Sequence, residues 1–232
     1  MKIKTIKTRI FKPDENLFHF MEDYISIITE KSILVVTSKI VALSEGRAVE
    51  KVDDRTKEKL IASESDFVLP TKYVCLTIKD GVVMANAGID ESNANGKLIL
   101  LPRDSFKSAE FIRRELCKKF KIKNLGVLIT DSRLFPLRAG VVGVALGYAG
   151  FKGIRDYRGT SDIFGERLEI SRTDVADSLA TAAVLCMGEG SERRPLAIIS
   201  NAPVEYSDRL DRDELKIDIK EDIYKPLFEQ IM

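Results

Sequence analysis

Apolar residues recur along this chain in two alternating rhythms, one of period two and one near 3.6, and the switches between them divide it into short elements. A strand is predicted at 2–7, a helix at 15–29 and a strand, ILVVTSKIV, at 33–41. The span 52–65 is charged and helical in pattern, and YVCLTIK at 73–79 and VVMAN at 82–86 read as strands. Lys79-Asp80-Gly81 joins those two strands, and an Asp-Gly pair at that place predicts a hairpin and antiparallel pairing. LILLP at 98–102 leads into a helix at 105–120 with Ser105 placed to cap it, and GVLIT at 126–130 is a strand. A second long helix is expected at 173–187, started by Thr173 or Ser171 and stopped by Gly188; LAIIS at 196–200 is one more strand. The charged tail EDIYKPLF is expected to pack last.

Hairpins mixed with helices indicate an α+β fold more than a doubly wound parallel sheet. No Pro/Ser-rich linker, repeat or low-complexity segment divides the 232 residues, so they are read as one folding unit with enough length for a full core.

Charge changes the picture by exclusion. A formal net charge of +1 gives no electrostatic reason to expect nucleic acid or an anionic membrane as partner. The longest apolar stretch, AGVVGVALGYAG at 139–150, is too short and Gly-rich to span a bilayer, and MKIKTIKTRIF is too charged for a signal peptide. A cytosolic, cytoplasmic protein is the expectation. Cys75, Cys117 and Cys186 are odd in number and far apart, which indicates neither a disulfide framework nor a zinc site. The single histidine, His19, reads as a packing residue, and its isolation argues against a Ser-His-Asp site. Carboxylates, hydroxyls and basic side chains are left to supply any chemistry.

Four stretches hold such groups at element ends. In LGVLITDSRLFPLRAG an apolar strand stops at Asp131 and Ser132, oxygen ligands suited to a hard cation, with Arg133 and Arg138 able to hold an anion; the same residues also suit a simple turn. ANAGIDESNANG delivers Asp90, Ser92 and Asn93 from the end of a strand, or makes a surface loop of turn formers. Lys39 in TSKIVALSEGR stands at the end of an apolar strand, either as a phosphate contact or as a solvated edge residue. MGEGSERRP at 187–195 ends a helix, and Glu189 there is unexpected because the helix dipole disfavours an anion. Gly140, Gly143, Gly147, Gly150 and Gly153 match neither GxGxxG nor GxxxxGK[ST], and close approach of strands or tight bends explains them. Taken together the four stretches hold the inventory of a metal-nucleotide site.

The order of the motifs SKIVALSEGR, NAGIDESN, LLPRDSFKSAEFIR, VLITDSRLFPLRAGVVGVALGYAGF, RDYRGTSDIFGERLEIS and DVADSLATAAVLCMGEG resembles the coenzyme F-420-0:L-glutamate ligase family, the γ-glutamyl ligases, over roughly 30–200. The resemblance implies an α+β fold of mainly antiparallel sheets with packed helices, an intertwined homodimer, and use of GTP (or ATP) with Mg²⁺ or Mn²⁺. It places metal ligands at Asp90, Asp131, Ser132 and Glu189. Nucleotide contacts fall on Ser38, Lys39 and Asn93, and on Met187, Gly188, Gly190, Ser191 and Arg193. Lys39 and Arg138 become the expected catalytic residues, for phosphate oxygens and for the acceptor carboxylate or incoming L-glutamate. Four positions depart from the family's pattern: Leu43 for a Lys, Leu134-Phe135 for Gly-Arg, and Asp80 for a His. The implied reaction adds L-glutamate through an amide bond to coenzyme F-420-0 or a related carboxylate acceptor. A folate polyglutamylating ligase, a non-catalytic nucleotide-binding protein and a metal-dependent phosphohydrolase stay open beside it.

Overall fold

A computed structural model describes residues 1–51 and 53–229 of the chain. In order the elements are β1 (Lys2–Ile6), α1 (Leu17–Tyr24), β2 (Ser32–Thr37), α2 (Ser38–Ser44), β3 (Ala48–Glu50) and α3 (Asp54–Ser63). There follow β4 (Phe67–Pro70), β5 (Cys75–Lys79), β6 (Val82–Ala85), β7 (Lys97–Ile99), α4 (Ser105–Phe120), β8 (Leu125–Leu134) and β9 (Val141–Ala149). The last are β10 (Ile154–Asp156), β11 (Arg172–Asp174), α5 (Val175–Met187), β12 (Leu196–Ser200) and the short α6 (Lys225–Phe228).

A five-stranded sheet in the order β1-β12-β2-β8-β9 carries the core. All its pairings are antiparallel except β2 with β8, which run parallel from Ser32–Leu125 to Thr37–Thr130. Both faces are covered, as the unbroken apolar run of β2 requires. Leu34, Val36, Val127 and Ile129 pack with α1 and α4 on one face; Ile33, Val35 and Leu128 pack with α5 on the other. Smaller antiparallel pieces attach around this sheet: β4-β5-β6, β3 with β7, and β10 with β11. The α+β reading, with mixed but mainly antiparallel sheets, agrees with this, as does the hairpin through Asp80-Gly81, where Lys79 pairs Val82.

Two glycines of β9 explain how helices reach the sheet from both sides. A Cβ on Gly143 would stand 2.5 Å from the Ala180 carbonyl oxygen of α5, and one on Gly147 would stand 2.5 Å from the Ser105 carbonyl carbon at the start of α4. Four residues apart, these positions would share a face of a regular strand. They face opposite helices because Ile129 pairs Gly147 and Thr130 pairs Ala145, which leaves Leu146 as the extra residue of a bulge. The close-approach reading of these glycines holds at both positions.

Several boundaries differ from the sequence reading. The strand expected at 33–41 stops at Thr37, and Ser38–Ser44 is helical, with Ile40, Val41 and Ala42 buried. Lys39 therefore sits in the first turn of α2 and not on a strand. The helix expected at 15–29 is only Leu17–Tyr24, capped by Asn16. Asp104, not Ser105, caps α4 through the Lys107 amide, and Asp174, not Thr173 or Ser171, caps α5 through the Asp177 amide. The charged helix runs Asp54–Ser63, and the Val52 part of its expected span lies outside the described residues. His19 is exposed on α1 and packs into no core. The tail keeps Ile223 and Leu227 exposed, so it does not pack as expected. All three cysteines are free thiols. Among the described residues no helix is long and apolar enough to cross a membrane.

Candidate functional site

The parallel pair β2 and β8 ends at Thr37 and Thr130, and the carboxyl end of such a pair is where a sheet leaves room for a ligand. Beyond Thr37 the chain turns directly into α2 and delivers Ser38, which is buried, and Lys39, which is half-buried. Beyond Thr130, β8 continues along β9 alone, so Asp131, Ser132 and Arg133 pair with Val144, Gly143 and Val142 past the end of the core. Alternation places Asp131 and Arg133 on one face of β8 and Ser132 on the other.

A second segment reaches the same end. The turn Asn86–Gly88 follows β6 with left-handed Asn86, Ala87 and Gly88, after which Asp90 exchanges two backbone hydrogen bonds with Ile99, both 2.9 Å. That bridge fixes the loop carrying Asp90, Ser92 and Asn93. Lys39 Nζ lies 2.7 Å from Asp90 Oδ2 and donates to the Ser92 carbonyl at 2.6 Å. The Ser92 amide and hydroxyl donate to the two Asp90 carboxylate oxygens at 2.7 and 2.8 Å. Burial acts to raise the Asp90 pKa, but Lys39 and the Ser92 bonds outweigh it and hold the carboxyl below its ordinary range.

The third segment follows α5. Met187 is buried, Gly188 ends the helix at φ 86°, and Glu189 then lies with its Oε1 2.5 Å from the Ser132 hydroxyl, which donates to it. Asn93 Nδ2 donates to the Gly190 carbonyl at 3.2 Å, and the Gly190 amide donates to Glu192 at 2.8 Å. Ser191 is exposed, and Arg193 adopts φ 55° with its carbonyl accepting from the Thr8 amide at 2.9 Å. Loops distant in sequence by about a hundred residues are thus tied together by side chains of the motif positions themselves.

Asp131 is the group most altered by this environment. Burial is the main cause that pushes its carboxyl up to about 6, and the Asp90 carboxylate adds to the rise, while Arg133, the Ser132 amide and Lys39 pull the other way. Burial likewise draws the Arg133 guanidinium below its ordinary range, against Asp131 and Asp177. Two carboxylates that feel one another beside an ammonium are oxygen donors of the kind a hard divalent cation takes. Glu189 stands apart on Ser132, and among the described residues no group of three or more His, Cys, Asp or Glu side chains is gathered closely enough to hold a metal by itself. The donor chemistry fits Mg²⁺ or Mn²⁺; Ser132 is hydrogen-bonded to Glu189, and Asp90 is held by Lys39 and Ser92 near enough to Asp131 to raise its pKa.

Arg138 is placed differently. It is exposed on the turn beyond the Leu134–Val141 pair, and three strand pairs, roughly 10 Å, separate that pair from Asp131–Val144. The fold of one chain does not bring Arg138 beside Asp131. Sequence reasoning gave Ser92 no particular partner, although its carbonyl and hydroxyl complete the surroundings of Lys39; only the loop geometry set by the Asp90–Ile99 bridge reveals that.

An acidic and hydroxylic strand end, a lysine in the first turn of a helix and a glycine-rich helix exit gather at one end of the sheet, in a fold that comparison with known proteins places among the ligases. The family profile described as F420-0:Gamma-glutamyl ligase matches residues 5–201. The coenzyme F420:L-glutamate ligase of Methanococcus maripaludis strain C7 is 33% identical over 216 residues, covering 85% of this chain and 86% of that protein. The enzyme of the same name from Methanocaldococcus jannaschii is 35% identical over 179 residues, covering 77% of this chain and 68% of that one. That of Archaeoglobus fulgidus is 36% identical over 185 residues, covering 72% and 74%. The chain belongs to the F420-0:gamma-glutamyl ligase family, and it is a ligase.

Proposed function

We propose that the protein joins L-glutamate through an amide bond to coenzyme F-420-0 or a close carboxylate relative, using GTP or ATP. The observation that carries this reading is the convergence of Lys39, Asp90, Asp131 and the Ser132–Glu189 pair at the end of β2 and β8, in a chain of the ligase family.

A carboxylate is a poor electrophile, so the acceptor carboxylate oxygen first attacks the γ-phosphorus of the nucleotide, forming an acyl phosphate and releasing the diphosphate. The glutamate amine then attacks the acyl carbon, inorganic phosphate leaves, and the amine gives up a proton. Ser38, Lys39, Asn93 and the 187–193 loop would hold the nucleotide, with the Lys39 ammonium against its phosphate oxygens. Asp90, Asp131, Ser132 and Glu189 would hold Mg²⁺ or Mn²⁺, which when bound offsets the charge on the transferring phosphoryl group. Asp131, half-buried with a raised pKa, is the carboxylate whose ionised form gains most from an adjacent cation. Arg138 would orient acceptor or glutamate only if its turn lies against a second copy of the chain, and this favours the homodimer.

The test is a mass-spectrometric assay of purified protein with GTP or ATP, Mg²⁺ or Mn²⁺, L-glutamate, and either coenzyme F-420-0 or a reduced folate. A glutamyl increment on the deazaflavin with glutamate-dependent phosphate release supports the proposal. An increment on folate alone moves the acceptor to the folate reading, glutamate-independent phosphate release indicates a phosphohydrolase, and tight nucleotide binding with no release indicates a non-catalytic binder.

A further inference from the structure

A cavity of about 310 Å³ opens between the β5–β6 hairpin, the segment leading into α4, strands β8 and β9, and the stretch around Arg212. Its wall is more apolar than polar, through Met84, Leu101, Phe106 and Leu146, and it carries the basic side chains Lys79, Arg103, Arg133, Arg212 and Lys216, the last 2.8 Å from Asp213. Most of that basic charge is already answered. Lys79 lies 2.6 Å from Glu64, and Arg212 lies 2.9 Å from Asp104 with its guanidinium over the Phe106 ring. Asp80 is the other carboxylate of the lining.

Arg133 and Arg103 are different. Among the described residues neither guanidinium forms an ion pair or a hydrogen bond, and Arg133 Nε is buried without a partner. A buried guanidinium nitrogen without an acceptor is costly unless something supplies one, and a carboxylate matches the fork of an arginine with two parallel bonds. Arg133 also stands two residues after Asp131 on the same face of β8, about 7 Å along the strand. An anion held by Arg133 therefore lies beside the candidate phosphate and cation site, while the apolar wall extends away from it.

We propose that this cavity is the acceptor subsite: Arg133, aided by Arg103, holds the acceptor's carboxylate, and Met84, Leu101 and Phe106 cover a flat, largely apolar body. The inference rests on the ligase reading and names the residues by which that site selects its acceptor. Arg133 is the specificity-determining residue and Arg103 its exposed companion at the rim.

The experiment measures equilibrium binding of coenzyme F-420-0 by its deazaflavin fluorescence to the full chain, beside binding of a fluorescent GTP analogue. Arg133→Met is expected to weaken acceptor binding about 10- to 100-fold while GTP binding changes less than about threefold. Arg133→Lys should fall between, because it keeps charge but loses the fork. Arg103→Met, at an exposed position where folding is not at risk, should weaken acceptor binding several-fold. Acceptor affinity equal in wild type and both Met variants overturns the subsite and leaves the ligase reading standing, as does failure of the wild type to bind the deazaflavin while it still glutamylates another acceptor independently of Arg133. Arg133-dependent binding without any glutamyl transfer supports the subsite and overturns the reaction.

Discussion

Lys39 Nζ and Asp90 Oδ2 are 2.7 Å apart, a contact between the first turn of α2 and a loop fifty residues later, and Ser92 closes it with two further oxygens. The pair stands half exposed, so its own contribution to stability is small. Its interest lies in what replaces it: a phosphate would draw the ammonium away, and a cation would take the carboxylate. Lys39→Met is expected to weaken nucleotide binding by about tenfold or more while leaving the melting temperature within a few degrees. Calorimetric titration with GTP checks this, and unchanged affinity removes Lys39 from the phosphate site.

Asp131 makes a separate prediction because its environment disfavours its charge. Asp131→Asn removes an anion that burial and Asp90 already oppose, so the protein without metal is expected to keep its fold and lose none of its stability. Mn²⁺ binding should nonetheless weaken at least about tenfold, because an amide is a poorer ligand than a carboxylate for a hard cation. A folded variant with wild-type Mn²⁺ affinity argues that the cation, if bound, is held elsewhere.

What could be read from the sequence follows from which signals are local. The Asp80-Gly81 hairpin, the apolar run of β8 and the stop of α5 at Gly188 each depend on a few adjacent residues, and all three are where the pattern places them. The end of β2 was not legible, because SKIVALS is apolar enough to continue a strand and its helical spacing extends over only seven residues. β3, β4, β10 and β11, three or four residues each, are too short to show a period. The bulge at Leu146 is invisible in a string that alternates regularly, yet it decides which helix each glycine meets. The candidate site is intermediate: its residues are nameable singly, but the pairing of Asp90 with Lys39 and of Ser132 with Glu189 depends on a helix, a strand and two loops arriving at one sheet end.

Gly147 offers a test of that bulge. A Cβ there would lie 2.5 Å from Ser105 backbone carbon and 2.6 Å from the Phe106 amide nitrogen, and backbone cannot yield as a side-chain tip can. Gly147→Ala is expected to cost about 1–3 kcal/mol in urea denaturation. Gly140→Ala, with nothing near its Cβ but φ 89°, isolates the cost of backbone conformation alone and should be the smaller loss.

The turn between β8 and β9 exposes Leu134, Phe135 and Leu137, the last fully, and Val141 beside them. Apolar side chains grouped at a protruding tip are unfavourable in water and gain from burial against another surface. If that surface belongs to a second copy, light scattering at low micromolar concentration gives about twice the 26.0 kDa chain mass. Replacing Phe135 and Leu137 with Ser should then shift the mass toward that of one chain, and a wild-type monomer refutes the dimer.

Asp174 gives a prediction in pH. It caps α5 by accepting from the Asp177 amide at 2.9 Å, but burial, with the Asp177 carboxylate adding to it, pushes its own carboxyl up from 3.8 to about 6. A carboxyl whose folded pKa lies above its unfolded value holds its proton more tightly when folded, so stability is lost as pH rises between those two values. Below that window both states are protonated and there is no penalty; above it the penalty is constant. Asn keeps the capping oxygen and cannot ionise. Asp174→Asn is therefore expected to match the wild type near pH 4 and to exceed it near pH 7 by on the order of 1 kcal/mol, a figure reduced for the partial exposure of the site. Thermal or urea denaturation across that range measures the gap. A difference that does not grow with pH would show that Asp174 is as easily ionised in the fold as in water, and that the cap carries its charge without cost.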